Sequence, residues 1–378
     1  MNTARSAERI LVRGVNWLGD AVMSTPALLR LRETFPRAHI ALLAASTLAP
    51  LFERHPAVDQ TITFAEDEGV FSIARRLRAG NFDTALVLPN SPRSALEVFL
   101  AGIPRRIGAD RPWRNAFLTD VVPTRTEEVQ MHKRSLGEIQ QLIRSGNPSV
   151  VTPPPIAHHL HQYLHLAAAL GARREAVAPR LAVLDSEVQA IRERFGQELS
   201  GRPLLGLNAG AEYGPAKRWP RERFVEVAKT LRKRIHCAIW VFGGTADVPL
   251  AESIAAELND GAKVSADIQC LAGRTSLRDL CSALRACNVV LTNDTGPMHV
   301  AAAVGTPVVA VFGSTSPELT GPGLPGDARH RLLKSSAPCS PCFLRECPID
   351  FRCMKELTVA SVVSAVEESL AIRPQDSL

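Results

Sequence analysis

What most constrains this chain is an alternation that runs through most of its 378 residues: short, β-branched apolar runs separated by stretches of helical periodicity. In the first half the runs are Ile10–Arg13, His39–Ala44, Thr61–Phe64 and Thr84–Pro89, with helical patterns at Asp20–Phe35, Phe71–Ala79 and Pro92–Ala101. In the second half they are Leu204–Asn208, Ala238–Gly243, Val289–Thr292 and Val308–Phe312. The helical partners there are Pro220–Arg234, Val248–Leu258, Leu277–Ala286 and Met298–Val304. Runs that are apolar on both faces need helices on both sides of a parallel sheet, which is the signature of stacked βα units. The expected fold class is therefore α/β.

A chain of this length exceeds one ordinary core and suits two domains. Pro153-Pro154-Pro155 interrupts the pattern, and a His-rich helical stretch, His158–Leu170, follows it. The expected division is residues 1–178, residues 179–355, and a tail at 356–378 whose helical pattern, Val359–Leu370, is free to pack back on the first domain. Two doubly wound, Rossmann-like domains facing a central cleft is the economical arrangement, because ligands sit at the carboxyl ends of such strands.

Composition narrows the function. Hydrophobic residues at 46% and charged residues at 22% describe a globular chain. The start, Met1–Glu8, lacks the apolar stretch of a signal peptide. The best apolar run, Val300–Phe312, is cut by Gly305 and Pro307 and is too short for a bilayer span. A cytoplasmic protein is expected. The net charge of +6 lies mostly in residues 1–178, with 21 Lys/Arg against 16 Asp/Glu. That excess suits an anionic partner, but scattered cations and 5% aromatics do not point to nucleic acid.

The first strand runs into Gly14-Val15-Asn16-Trp17-Leu18-Gly19-Asp20. The glycine spacing is that of a phosphate loop, yet Asp20 stands where Lys would be, and a carboxylate there repels phosphate. Two readings remain for Asp20: a general base at a strand-to-helix turn, or a helix N-cap. An exposed loop seldom needs an indole, so Trp17 and Asn16 favour a working site.

Two elements of the second half suit a diphosphate. The stretch from Asn208 through Gly210 to Lys217-Arg218-Trp219-Pro220 combines small residues for close approach with two cations, although a solvated surface loop has the same composition. In Asp294-Thr295-Gly296-Pro297-Met298-His299, Thr295 and Gly296 offer backbone N–H groups where a helix begins. Asp294 would hold the loop or accept from a sugar hydroxyl, and His299 either donates to phosphate or satisfies a buried carbonyl. Gly313-Ser314-Thr315 closes the next strand as a further wall. After another strand, Gly244 and Asp247 either meet a ribose or serve as a turn and its cap.

These residues resemble a known family. Arg13-Gly14-x-Asn16-Trp17-x-Gly19-Asp20, Lys217-x-Trp219-Pro220 and Asp294-Thr295-Gly296-Pro297-Met298-His299, in that order, are similar to the motifs of family 9 glycosyltransferases, as is the Cys-Pro-Cys-rich stretch near the end. The resemblance implies a GT-B fold, with the acceptor on the first domain and ADP-heptose on the second. It implies inverting transfer of heptose to the first heptose of the lipopolysaccharide inner core, and since no Asp-x-Asp pair for a divalent cation appears in the sequence, no cofactor is expected. Asp20 matches the family's base, Lys217 its phosphate-binding lysine and Asp294-Thr295-Gly296 its donor loop. Asn16, Trp17, Arg105, Arg106 and Arg111 become candidates for the anionic core acceptor, and an acceptor carried on a lipid implies peripheral contact with the inner membrane.

Other readings stay open: heptosyltransferase I, a nucleotide-sugar epimerase, or a non-catalytic metal or redox protein built on cysteines. Four of the eight cysteines cluster as Cys339-x2-Cys342-x4-Cys347-x5-Cys353, which in a cytosolic chain suggests a structural metal or packed thiols before disulfides. An epimerase sets acids and bases around one sugar ring, and Asp20 is the one candidate base of the first half.

Overall fold

In a computed structural model, which describes residues 8–146, 152–196, 201–259 and 267–371, the chain forms two units: Met1–Glu128 with Ile156–Ala182, and Val129–Pro155 with Val183–Leu378. The first contains a six-stranded sheet of β1 (Arg9–Arg13), β2 (His39–Ala45), β3 (Gln60–Phe64), β4 (Thr84–Val87), β5 (Arg105–Ala109) and β6 (Asp120–Val122), in the order β3-β2-β1-β4-β5-β6. The second contains β7 (Leu204–Asn208), β8 (Ala238–Phe242), β9 (Ile268–Cys270), β10 (Val289–Asn293), β11 (Val308–Phe312) and β12 (Arg331–Lys334), in the order β12-β11-β10-β7-β8-β9. Every ladder is parallel. Numbered within its own unit, each sheet has the strand order of a dinucleotide-binding doubly wound domain. The two halves thus repeat one topology without a repeat in sequence.

The order fixes where each unit can hold a ligand. Connections leave the paired strands β1 and β4 toward opposite sides in the first unit, and β7 and β10 in the second, opening a crevice beyond their carboxyl ends. The strands carrying these ends are apolar because both faces are covered: all residues of β4, β7, β8, β10 and β11 are buried. Each buried Val, Leu or Ile contributes roughly 1.5–3 kcal/mol of transfer free energy.

Several expectations are corrected. The single helical pattern at Asp20–Phe35 is two helices, Leu18–Met23 and Thr25–Thr34. Pro26 brings no N–H to continue the first, and the Ser24 and Thr25 hydroxyls donate to the carbonyls of Ala21 and Val22. The segment 129–155 belongs to the second unit rather than the first: Ile139 of helix Leu136–Ser145 is buried in that core, and Arg134 N–H donates to the Cys342 carbonyl at 3.1 Å. The terminal helix Val359–Ala371 also lies in the second unit, packed on helix Arg221–Ile235 and on β10, β11 and β12, with Val362 and Val366 fully buried.

Candidate functional site

In the first unit the loop after β1 is held from below by a buried ion pair. Arg13, the last residue of β1, is 2% exposed and donates Nε to the fully buried Glu97 at 2.9 Å. Its Nη1 donates to the Gly14 carbonyl at 2.6 Å and to Asn16 Oδ1 at 2.9 Å, and its guanidinium lies 4.4 Å from the centre of the Phe64 ring. Burial pulls the Arg13 guanidinium below its ordinary pKa, and Glu97 opposes that pull. Gly14 passes so close to the Leu43 carbonyl that a Cβ would sit 3.2 Å from it. The anchored loop leaves Asn16 exposed and Trp17 56% exposed.

Trp17 is the N-cap of helix Leu18–Met23, and no side chain caps it. Asp20 is therefore not the cap. It occupies the first turn, half-buried, and burial, with the Asp20 charge added, pushes the pKa of the nearby Tyr163 phenol above its ordinary value.

The candidate acceptor arginines separate. Arg105 and Arg106 open β5, at the amino ends of the strands, away from this loop. Arg105 pairs with Asp120 at 3.2 Å, and Arg106 donates to the carbonyls of Phe117 and Ile103 at 2.8 and 2.6 Å. Arg111 follows the carboxyl end of β5 and donates to the Asp110 carbonyl at 2.7 Å. Beside it, Arg114 is fully buried and donates to the Pro89 carbonyl. Burial holds its pKa down to about 10, and its Nε and Nη2 have no hydrogen-bond partner among the described residues.

In the second unit the candidates converge on four adjacent strand ends, those of β11, β10, β7 and β8. Asp294, 4% exposed, accepts from Lys217 Nζ at 2.7 Å and from Thr315 Oγ1 at 2.6 Å. The ion pair keeps the buried Asp294 carboxylate from repelling an anion here, because Lys217 neutralises it. The ammonium has three donors and spends one on the carboxylate, leaving two for a ligand. Lys217 also lies 4.9 Å from the Tyr213 ring centre.

The neighbouring Asn293 is a residue that sequence reasoning missed. Its Nδ2 donates to the Ala209 carbonyl at 2.7 Å and its Oδ1 accepts from Trp219 N–H at 3.0 Å, tying the β7 loop to the β10 loop. Asn208 Nδ2 donates to Thr292 Oγ1 at 3.1 Å, so Asn208 is a strand fastener.

Thr295 is the extended N-cap of helix Gly296–Ala303, and Thr295, Gly296 and Pro297 are only half-buried. The amino-terminal N–H groups of that helix are thus close to solvent beside Lys217's partner, a setting that favours an anion. His299 is buried one turn in. Asp247 packs its carboxylate over Gly210, where a Cβ would meet an oxygen at 2.3 Å, and sits 3.8 Å from Arg218 Nη2. It makes no side-chain cap bond to the helix it precedes. Gly244 has open space at its Cβ position.

The cysteine-rich segment braces these loops. Cys342 and Phe343 N–H groups donate to the Ser314 carbonyl at 3.1 and 2.7 Å, and Ser340 Oγ donates to the Gly313 carbonyl at 2.7 Å. Ala216 N–H donates to the Arg345 carbonyl, and Tyr213 Oη to that of Phe343. Cys339, Cys342 and Cys353 are buried and Cys347 half-buried, all four lining one small cavity as free thiols. Among the described residues no group of three or more His, Cys, Asp or Glu is placed to hold a metal ion, so the expectation of a structural metal at these cysteines finds no support. Burial pushes Cys353 up to about 12, as befits a packed thiol. Nor is any helix among the described residues long and apolar enough to cross a membrane.

Comparison with known proteins identifies the family. The family model of glycosyltransferase family 9 (heptosyltransferase) matches residues 70–351. Lipopolysaccharide heptosyltransferase 2 of Escherichia coli K12 is 34% identical over 327 residues, covering 83% of this chain and 85% of that protein. Lipooligosaccharide heptosyltransferase 2 of Haemophilus ducreyi is 31% identical over 326 residues, covering 83% and 86%. The solved structure of E. coli ADP-heptose lps heptosyltransferase II superposes with a TM-score of 0.76 at 29% identity, over 98% of this chain and all of that one. The fold class is α/β, GT-B, and the chain is a glycosyltransferase belonging to family 9, the heptosyltransferases.

Proposed function

We propose that this protein transfers L-glycero-D-manno-heptose from ADP-heptose to the first heptose of a lipopolysaccharide inner core, with inversion at the anomeric carbon. The observation that carries the reading is the Lys217–Asp294–Thr315 cluster beside the open amino terminus of helix Gly296–Ala303. That cluster offers fixed cationic and N–H donors for a pyrophosphate. Relatives named for heptose transfer to lipopolysaccharide and lipooligosaccharide support the choice of sugar and acceptor.

Asp20 acts as the general base. Its carboxylate takes the proton of the acceptor hydroxyl as that oxygen bonds to the anomeric carbon, and the bond from that carbon to the ADP oxygen breaks. Lys217 and the helix N–H groups stabilise the charge that gathers on the departing diphosphate, the role a divalent cation plays in other transferases. Asn16, exposed Trp17 and Arg111 bind the acceptor, while Asp247 and Gly244 bound the nucleoside. The acceptor is anchored in lipid, so the enzyme works in peripheral contact with the inner face of the inner membrane.

The test is ADP release by purified protein given ADP-heptose and a core truncated after its first heptose, without added metal. ADP formation that requires both substrates and disappears in Asp20→Asn supports the reading. Activity on a heptose-free core in preference to the truncated one would reject the assigned acceptor, and undiminished turnover by Asp20→Asn would reject the assigned base.

A further inference from the structure

The cluster assigned to the diphosphate carries less net charge than its cations suggest. Lys217 is matched by the Asp294 carboxylate at 2.7 Å, and Arg218 has Asp247 at 3.8 Å. What remains is the amino end of helix Gly296–Ala303, worth about half a positive charge. The diphosphate of a sugar nucleotide carries a negative charge on each phosphate and gains another as it departs. Arg345, in the cysteine-rich segment, stands beside this cluster. Its carbonyl accepts from Ala216 N–H at 2.9 Å, and a Cβ on Gly214 would come within 2.5 Å of that oxygen. The Arg345 backbone is therefore seated against the loop that carries Lys217. Its guanidinium lies 5.2 Å from the centre of the Tyr213 ring, and Lys217 Nζ lies 4.9 Å from the same centre. The ring is itself tethered, because Tyr213 Oη donates to the Phe343 carbonyl at 2.8 Å. One aromatic ring thus keeps both cations in one neighbourhood. Arg345 is exposed, and among the described residues no carboxylate lies within ion-pair distance of its guanidinium.

We propose that Arg345 is a second cationic contact for the donor's diphosphate: its guanidinium donates to the phosphate oxygens that Lys217 leaves uncovered. The inference rests on the reading of the Lys217 cluster as the donor site. A planar fork of N–H donors matches phosphate oxygens, which a single ammonium already shared with Asp294 covers only in part. Because Arg345 has no carboxylate to offset it, its charge is the one added in full to this side of the site. The cysteine-rich segment then delivers a side chain to the ligand as well as bracing the loops.

A cation stacked on a ring also stabilises a loop without touching any ligand. Titrating ADP and adenosine into Arg345→Gln separates the two roles, because only ADP carries the diphosphate. The proposed contact predicts that ADP affinity falls about tenfold while adenosine affinity stays within about twofold, as expected for losing a hydrogen bond between charged groups. Equal losses for ADP and adenosine would mean that Arg345 only holds the loop, and that result overturns the proposal. Unchanged ADP affinity overturns it as well, and a raised KM for the truncated core in that case would move Arg345 to the acceptor. Lys217→Ala is measured alongside. If Lys217→Ala loses ADP affinity and Arg345→Gln does not, the donor site stands and only the role of Arg345 is lost. If Lys217→Ala binds ADP as the wild type does, the donor-site reading falls and takes this inference with it.

Discussion

At the scale of single residues, two ion pairs, one fully and one partly buried, decide how the strand ends are presented, and they differ in purpose. Arg13–Glu97 joins groups 2% and 0% exposed, and its spare donors go to Gly14 and Asn16. Removing one partner of such a pair strands the other in a desolvated site, a loss of roughly 3–5 kcal/mol. Glu97→Ala should therefore lower the melting temperature sharply, and a melt within a degree of wild type would show that Arg13 finds compensation elsewhere. Lys217–Asp294 is instead a pair with donors to spare. Lys217→Ala removes a cation and also leaves a buried carboxylate facing the proposed diphosphate, so its KM for ADP-heptose should rise by one to two orders of magnitude, or roughly 1.4–3 kcal/mol. In Lys217→Ala/Asp294→Asn the stranded charge is gone and part of that loss should return. Calorimetric titration of ADP-heptose into both variants checks this, and a double variant weaker than the single one would mean that Asp294 itself contacts the donor.

At the scale of elements, the cysteine segment is best understood through the backbone groups it offers. Gly214 lies at φ 152°, and a Cβ there would approach the Arg345 carbonyl to 2.5 Å, so the loop carrying Lys217 can seat against this segment only with glycine at that position. Gly214→Ala should push the loop off its brace, weakening ADP binding several-fold and costing about 1–2 kcal/mol of stability. Wild-type ADP affinity in that variant would remove the brace from the explanation of donor binding. The same elements show what could be read in advance. Strands covered on both faces announce themselves as continuous apolar runs, and seven of the twelve were legible for that reason, while the edge strand β3 showed only through its β-branched Thr61-Ile62-Thr63. The missed β6, β9 and β12 are short edge strands, and β5 opens on Arg105 and Arg106, so its charge disguised it as a basic surface cluster. Among the candidate site residues, Asp20, Lys217 and Asp294–Gly296 sit in local motifs at strand ends, where a local pattern can point to them. Glu97 and Asn293 matter through partners 84 and 74 positions away, and no local pattern encodes such pairings.

At the scale of the whole molecule, the chain crosses between its units more than once, with 129–155 in the second and 156–182 in the first, so neither unit is one continuous piece of sequence. A single cut near residue 178 followed from the break at Pro153–Pro155 and the helical stretch after it, whereas the cores decide ownership by burial, as Ile139 and Leu160 show. Each unit also carries a buried neutral histidine, and these predict a shared response to acid. Burial pushes His55 down to about 4 in the first unit and His330 down to about 4 in the second, against an ordinary 6.5. Between those values the unfolded chain binds protons that the folded chain refuses, so stability rises with pH across that window. The contribution is complete above about pH 6.5 and is lost as pH falls toward 4, up to about 3 kcal/mol per histidine. Carboxylates held low, such as Glu318 and Asp327, act with the same sign but at pH values below about 4.5, which leaves the upper part of the window to the histidines. Calorimetric melts should therefore fall between pH 6.5 and 4.5, and His55→Asn with His330→Asn, which carry no titrating ring, should flatten that slope; an equally steep slope in the double variant would place the acid sensitivity elsewhere.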